Sequence, residues 1–565
     1  MVMPSLDFGS SLKNLVLSKM LMMIQIQFIK KLKNSRVSRK KPTICYNGSF
    51  RALISARCRL FAFWSMINLP PVVFNSKPGF KGLHMVSGVF LYILCLGFPL
   101  QAQSKPFFED QVLRAGAAAS KITPPIGSIM GNSYGITVSE GIHDDLYAKT
   151  LVFETDETKV VFIALDLISL PHQVVMETRE LIFQRTGILR ENIVMTATHV
   201  HAGPQMNPLF WDAIGGLPRQ KSEEYLKRLP ELIFESVGKG IQLLQPVRVS
   251  IGKTKQNSVN FNRRFLMKDG SFRMNPGRLN PNTIRPAGPV DPDFSIVLFE
   301  TMEAKPMAVL VNFALHVAVV SGDQFSADFP GKISDLMKDV YGEDMVTVFT
   351  NGTSGNINHI NVNLPNSLEG YKEAARIGTI LAADIMKTLP TLRQIPIHDL
   401  KVRTEPVILP VESASEEEVK WAEEIIDQYG SASPPPFNDV VKAWRILDVS
   451  SMERDGIRTT TVPLVSDGSA LQSEVQVIAL GDELALVGFP GDAFVELGLG
   501  IKLNSPFPFT IVNEQSANGT ISYVPNRKAF PESGYEVISA RFEQGGGEIL
   551  VDATIRILME LYGMK

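Results

Sequence analysis

The residues best suited to do chemistry lie in Thr196-Ala197-Thr198-His199-Val200-His201-Ala202-Gly203-Pro204. Side chains two apart on a strand point to one face. His199 and His201 are therefore expected to project together from a strand end, where many α/β enzymes place their chemistry. Two imidazoles so arranged suit a metal ion, or a metal ligand beside a proton carrier. All three cysteines, Cys45, Cys58 and Cys95, precede residue 103. A metal in the rest of the chain must use His, carboxylate, Tyr or water. The pair continues as Ala202-Gly203-Pro204, which does not fit a His-x-His-x-Asp-His site. The eight strand–helix repeats of an amidohydrolase-type barrel cannot be laid out around it.

The elements that must position these residues alternate from residue 113 onward. Residues 159–165 form a nearly continuous apolar run, as expected of a strand buried on both faces. The next such strand, 193–198, runs straight into His199. Helices are expected over 174–185, stopped near Gly187, and over 222–244, 328–340 and 371–389. Strands are expected over 247–251, 294–299, 307–313 and 345–350, the last leading into a Gly/Asn-rich loop. Ser415-Glu416-Glu417-Glu418 opens another helix with capping-box spacing, and Pro434-Pro435-Pro436 breaks the chain after it. Residues 475–480 and 484–487 pair through Gly481-Asp482. The alternation predicts an α/β fold of mixed β-sheets flanked by helices. It forms a single large domain over 103–565, with a helical insertion within 390–470.

Charge divides the chain at the same place. Residues 1–102 hold nine Lys, five Arg and one acid, Asp7, for a charge of +13, which leaves −15 on the other 463 residues. A domain that acidic is poorly suited to nucleic acid. Residues 86–100 are a 15-residue apolar run, preceded by Lys77 and Lys81 and followed by Gln101-Ala102-Gln103-Ser104. This is the order of a secretory signal, and the run is short for a membrane span. Export to the periplasm or beyond is expected, with cleavage leaving no stable transmembrane anchor. The basic extension before the signal has no hydrophobic period, and Met66 or Met85 would be a more natural start.

With its neighbours, the His-x-His segment resembles the signature of the neutral/alkaline, non-lysosomal ceramidases. The resemblance runs in order through Ala115-Gly116-Ala117, Lys121-Ile122-Thr123-Pro124, Met130-Gly131 and Gly141-Ile142-His143. It continues through Asn262-Arg263, Phe313-Ala314-Leu315-His316, Asp328-Phe329-Pro330-Gly331 and Thr353-Ser354-Gly355-Asn356-Ile357-Asn358. It ends with Phe489-Pro490-Gly491-Asp492, Tyr523-Val524-Pro525 and Tyr535-Glu536. The resemblance implies a ceramidase-like catalytic domain with zinc (Zn2+) held by His199, His316, Asp492 and Tyr523, and with His201, Arg263 and Tyr535 acting on substrate. Taken singly, Asp492 reads as a turn residue, Tyr523 as a packed aromatic, Arg263 as a surface charge and His316 as a core histidine. Only their order lifts them. His143 and Asp166 are expected to be structural groups or to orient the ligand histidines.

The expected activity is hydrolysis of the amide of an N-acyl lipid such as ceramide. Zinc brings the pKa of a bound water to about 7, a nearby neutral His can carry the proton to the leaving amine, and Arg263 with a Tyr hydroxyl can hold the oxyanion. Three departures bear on the substrate. The usual Glu ligand is Asp492, one methylene shorter, which draws the carboxylate back by roughly 1.5 Å. The loop Ser to which these enzymes' nucleophilic role is assigned aligns with Asn358. The chain ends 30 residues after Tyr535, where full-length ceramidases continue into an immunoglobulin-like domain. These leave two alternatives: a zinc hydrolase of another amide or ester, or an inactive lipid-binding homologue.

Overall fold

A computed structural model describes residues 113–564, apart from 132–136, 208–209, 212–213, 367–368, 430–432, 456–464, 466–469, 517–518 and 520. The basic extension and the apolar run at 86–100 lie outside the described residues.

The main sheet has nine strands: β1 (Arg114–Lys121), β2 (Tyr147–Glu154), β3 (Lys159–Leu165), β4 (Ile193–Ala197), β5 (Gln245–Lys255), β6 (Asp293–Thr301), β7 (Pro306–Phe313), β8 (Val346–Asn351) and the short β9 (Arg393–Ile395). They run in the order β8-β7-β6-β5-β1-β2-β3-β4, with β9 also on β5. The pairs β3–β4 and β7–β8 are parallel and the rest antiparallel. The apolar run of β3 is explained by burial on both faces. Val161, Ile163 and Leu165 join one core, and Val160, Phe162 and Ala164 the other. Each of the larger side chains contributes roughly 1.5–3 kcal/mol of transfer free energy.

The first core is covered by α1 (His172–Thr186), α2 (Gly216–Gln242), α3 (Asp328–Tyr341) and α4 (Gly370–Thr388), through residues such as Val175, Ile233, Ile333 and Leu381. The second core is shared with a four-stranded sheet, β10 (Leu400–Pro410), β11 (Ala470–Leu480), β12 (Leu484–Gly488) and β13 (Phe509–Asn513). Ile478, Leu484 and Leu486 face the main sheet, and Val477, Ala485 and Val487 face away. The result is helices, sheet, sheet, helix in layers, the α/β arrangement of mixed sheets that the alternation predicts.

Between the antiparallel partners β10 and β11 the chain leaves the sheet as a helical hairpin, α5 (Glu416–Asp427) and α6 (Phe437–Asp455). Ser415 and Glu418 form the reciprocal capping box. Ala422, Ala443 and Ile446 give the hairpin its own small core. The insertion is therefore narrower than 390–470, because strands begin and end that stretch. Strand β10 is hard to read in sequence because Pro406 interrupts it, and the strand sits at a sheet edge, where proline is tolerated. Three helices finish the chain: α7 (Val495–Asn504), α8 (Tyr535–Ile538) and α9 (Gly546–Tyr562). The last packs Leu550 and Ile557 onto the outer face of the second sheet.

Candidate metal and active site

Strand β4 ends at Ala197, one residue before the expected limit. His199 then takes a left-handed φ of 63°, a conformation that costs a non-glycine residue of order 1 kcal/mol or more. His199 and His201 do converge, but through this turn and not through strand alternation. The Nδ1–H of His199 donates to the Ile168 carbonyl at 2.7 Å. That bond fixes the ring and leaves Nε2 as the free lone pair. The backbone N–H of His201 donates to the Val317 carbonyl at 3.0 Å, tying this turn to the segment after β7 that carries His316.

The Nε2 atoms of His199, His201 and His316 are each 3.2 Å from the other two. A tetrahedron with that edge has its centre about 2.0 Å from each corner, the length of a zinc–nitrogen bond. Burial pushes the imidazoles of His201 and His316 well below the ordinary histidine range. Repulsion from His199 and from Arg263 adds to the shift in both. Both are thus neutral at neutral pH, as metal ligands must be.

Asp492 reaches the same cluster from the second sheet, its Oδ2 3.2 Å from His199 Nε2. Its Oδ1 is buried and has no hydrogen-bond partner. A buried orphan carboxylate oxygen is costly, so the cluster, with three imidazoles and an unsatisfied carboxylate, fits a cation. Two glycines make this approach possible. A Cβ at Gly355 would lie 2.4 Å from the Asp492 carbonyl, and one at Gly491, where φ is 71°, 2.3 Å from the Ser522 carbonyl. Asp492 and Tyr523 are direct register partners in a two-residue parallel bridge.

Tyr523 and Tyr535 pack edge to face at 5.1 Å, and the Tyr523 hydroxyl hydrogen-bonds with Tyr535 and Arg263. Arg263 is 5% exposed, so it is not a surface charge. Its Nε donates to Glu536 Oε1 at 2.9 Å and its NH2 group to the Gly355 carbonyl at 2.7 Å. Burial disfavours its charge, but Tyr523, Glu536 and Tyr535 more than offset this, so the guanidinium stays protonated. His199, His201, Asp492, Tyr523 and Tyr535 line one cavity of about 140 Å³, together with Phe210, Trp444, Arg445 and Arg541. A larger cavity of about 740 Å³ holds the buried Lys149–Asp166 pair and none of these residues.

Asp166 and His143 take the structural role and not the orienting one. Asp166 accepts from Lys149 Nζ and the Tyr147 N–H, and His143 stacks on Tyr371 beside Asp144. Neither is the partner of a cluster imidazole, and the group that orients His199 is a backbone carbonyl. Asn358 donates to Asn275 Oδ1 and does not line the cavity. One buried acid went unread in the sequence. Glu514 accepts from the Ser354 hydroxyl at 2.6 Å and from the Ser354 and Ala493 N–H groups. Burial, then the charge of Asp492, pushes its carboxyl well above the usual carboxylate range.

A family profile described as neutral/alkaline non-lysosomal ceramidase, N-terminal, matches residues 114–357. That span includes His199, His201, Arg263 and His316 but not Asp492, Tyr523 or Tyr535. No curated protein sequence matches the chain. The crystal structure of neutral ceramidase from Pseudomonas aeruginosa shares the fold, with a TM-score of 0.61 at 17% identity, over 80% of this chain and 75% of that one. A structure of ceramidase complexed with C2 matches with the same values. Residues 114–357 thus match the neutral/alkaline non-lysosomal ceramidase family, and the fold around them is shared with solved ceramidases.

Proposed function

We propose that the protein is a zinc-dependent amidohydrolase acting on an N-acyl lipid of the ceramide class. The observation that carries this is the trio of buried imidazoles whose Nε2 atoms lie 3.2 Å from one another, with an Asp492 carboxylate oxygen 3.2 Å from one of them. In this reading His199, His316, Asp492 and Tyr523 hold the ion, which supplies Lewis acidity and a water acidified into the neutral range. His201, neutral because it is buried, accepts a proton and returns it to the leaving amine. Arg263, locked by Glu536, and the Tyr535 hydroxyl stabilise the oxyanion. Export rests on the apolar run at 86–100, outside the described residues. Among the described residues no helix is long and apolar enough to cross a membrane.

The equal 3.2 Å spacing favours a second allocation, in which His201 is itself a ligand. Metal analysis of His201→Ala separates the two: full zinc content supports the proton carrier, and loss of zinc supports the ligand. For the activity, the full-length protein is incubated with a fluorogenic N-acyl sphingoid substrate, with and without chelator. Fatty-acid release that the chelator abolishes is expected. Equal release in both arms, or none in either, would remove the zinc ceramidase reading.

A further inference from the structure

The helical hairpin supplies one wall of the metal-site cavity. Trp444 and Arg445 of α6 line it, and Phe210 stacks on Trp444 at 4.2 Å. Two donors on this wall have no acceptor. The Nε1–H of Trp444 and the Nε–H of Arg445 are both buried and make no hydrogen bond. The other guanidinium in the cavity, Arg541, is neutralised by Asp448. Arg445 has no carboxylate within ion-pair distance among the described residues. Glu412 and Glu418 act on it only at longer range, and burial together with Arg541 disfavours its charge. A half-buried cation and an indole N–H, both without acceptors, form a wall that lacks a negatively charged, acceptor-rich partner. Ceramide has no charged group to offer it.

We propose that the substrate of this site is an anionic amide, a carboxylate of the N-acyl amino acid type, and that Arg445 is the specificity-determining residue that receives its charge, with Trp444 Nε1–H as a second donor. The proposal rests on the zinc amidohydrolase part of that reading and, within it, puts an anionic amide in the place of ceramide. Because Arg445 and the histidines line one small cavity of about 140 Å³, charge and scissile amide belong to a single compact head group. The acyl chain needs no place within that volume.

The test measures binding to the full-length protein by calorimetry, in chelator-treated and zinc-loaded forms. The probes are N-dodecanoylglycine, its uncharged carboxamide and N-dodecanoyltaurine. A charge-assisted hydrogen bond predicts a preference of about 10–100-fold for the carboxylate over the carboxamide. Arg445→Gln should collapse that preference to near unity, and Arg445→Lys should keep part of it. Melting curves control for folding of both variants. A stronger preference for the sulfonate would reassign the anion but keep the site. Equal binding of carboxylate and carboxamide by the wild type, no binding of either, or a preference that survives Arg445→Gln would overturn the proposal. Hydrolysis of the same probes is scored separately. Preferential binding without cleavage sinks the hydrolase reading alone, and cleavage without preference sinks the anion site alone.

Discussion

At the scale of residues, the account gives each side chain a different consequence when removed. His199→Ala should abolish zinc binding, read as metal per chain, because it removes the imidazole that Ile168 holds in place. Under the leading allocation, His201→Ala should keep the metal and lower turnover by roughly 10²–10⁴-fold. Asp492→Glu restores the methylene and should retain zinc, whereas Asp492→Ala should release it. Unchanged zinc in both would take Asp492 out of the site. Glu536 binds both Arg263 and Arg264, each nearly inaccessible. Glu536→Ala leaves buried Arg263 without its carboxylate, while Arg264 keeps Glu532, and should cost on the order of 3–5 kcal/mol in chemical denaturation. The histidines, Arg263, Asp492 and the tyrosines were legible because type and order survive in sequence. Ile168 acts through its carbonyl, which any residue has, so no sequence pattern could reveal it. Glu514 follows an apolar strand as an ordinary polar residue, and only its burial against Ser354 marks it.

At the scale of elements, the strands and helices around the site were mostly readable from apolar period, but the turns that aim the side chains were not. The period of 159–165 gives β3, and Gly187, with φ 74°, ends α1 as expected. The convergence of His199 and His201 depends on a left-handed histidine, which strand alternation does not anticipate. Gly355→Ala should therefore act at a distance. Its Cβ would push back the Asp492 backbone, weakening zinc affinity more than it lowers the melting temperature. Equal zinc affinity in this variant would show that the close approach is not needed. Asp328 opens α3 with its carboxylate accepting from the Val319 and Val320 N–H groups, and burial pushes it up to about 6. Its folded pKa lies above the unfolded value of about 3.9, so the folded state binds more protons between the two. Stability contributed here is full below about pH 4 and is lost as pH rises to about 6. The melting-temperature difference between Asp328→Asn and wild type should shift in the variant's favour across that window and stay level above it. A flat difference would mean that Asp328 does not titrate there.

At the scale of the whole molecule, two stacked sheets bring together residues far apart in sequence. His199 and His316 come from strand ends of the main sheet, and Asp492 and Tyr523 from the segments that follow β12 and β13 of the second. A metal held across the layers should couple them, because a ligand that binds only the folded state adds stability by mass action. Chelation should thus lower the melting temperature, and zinc should restore it. The layering was only partly legible. Alternating strands and helices announce α/β, but which sheet packs on which depends on burial of Ile478, Leu486 and Phe162 in one shared core, and that is invisible to local period. The most direct test is an anomalous-scattering map of full-length crystals collected on either side of the zinc absorption edge. The account predicts a single edge-dependent peak about 2.0–2.2 Å from Nε2 of both His199 and His316, with an Asp492 carboxylate oxygen at similar distance. No peak between those histidines in zinc-soaked crystals, or one at which Asp492 is absent, would contradict it.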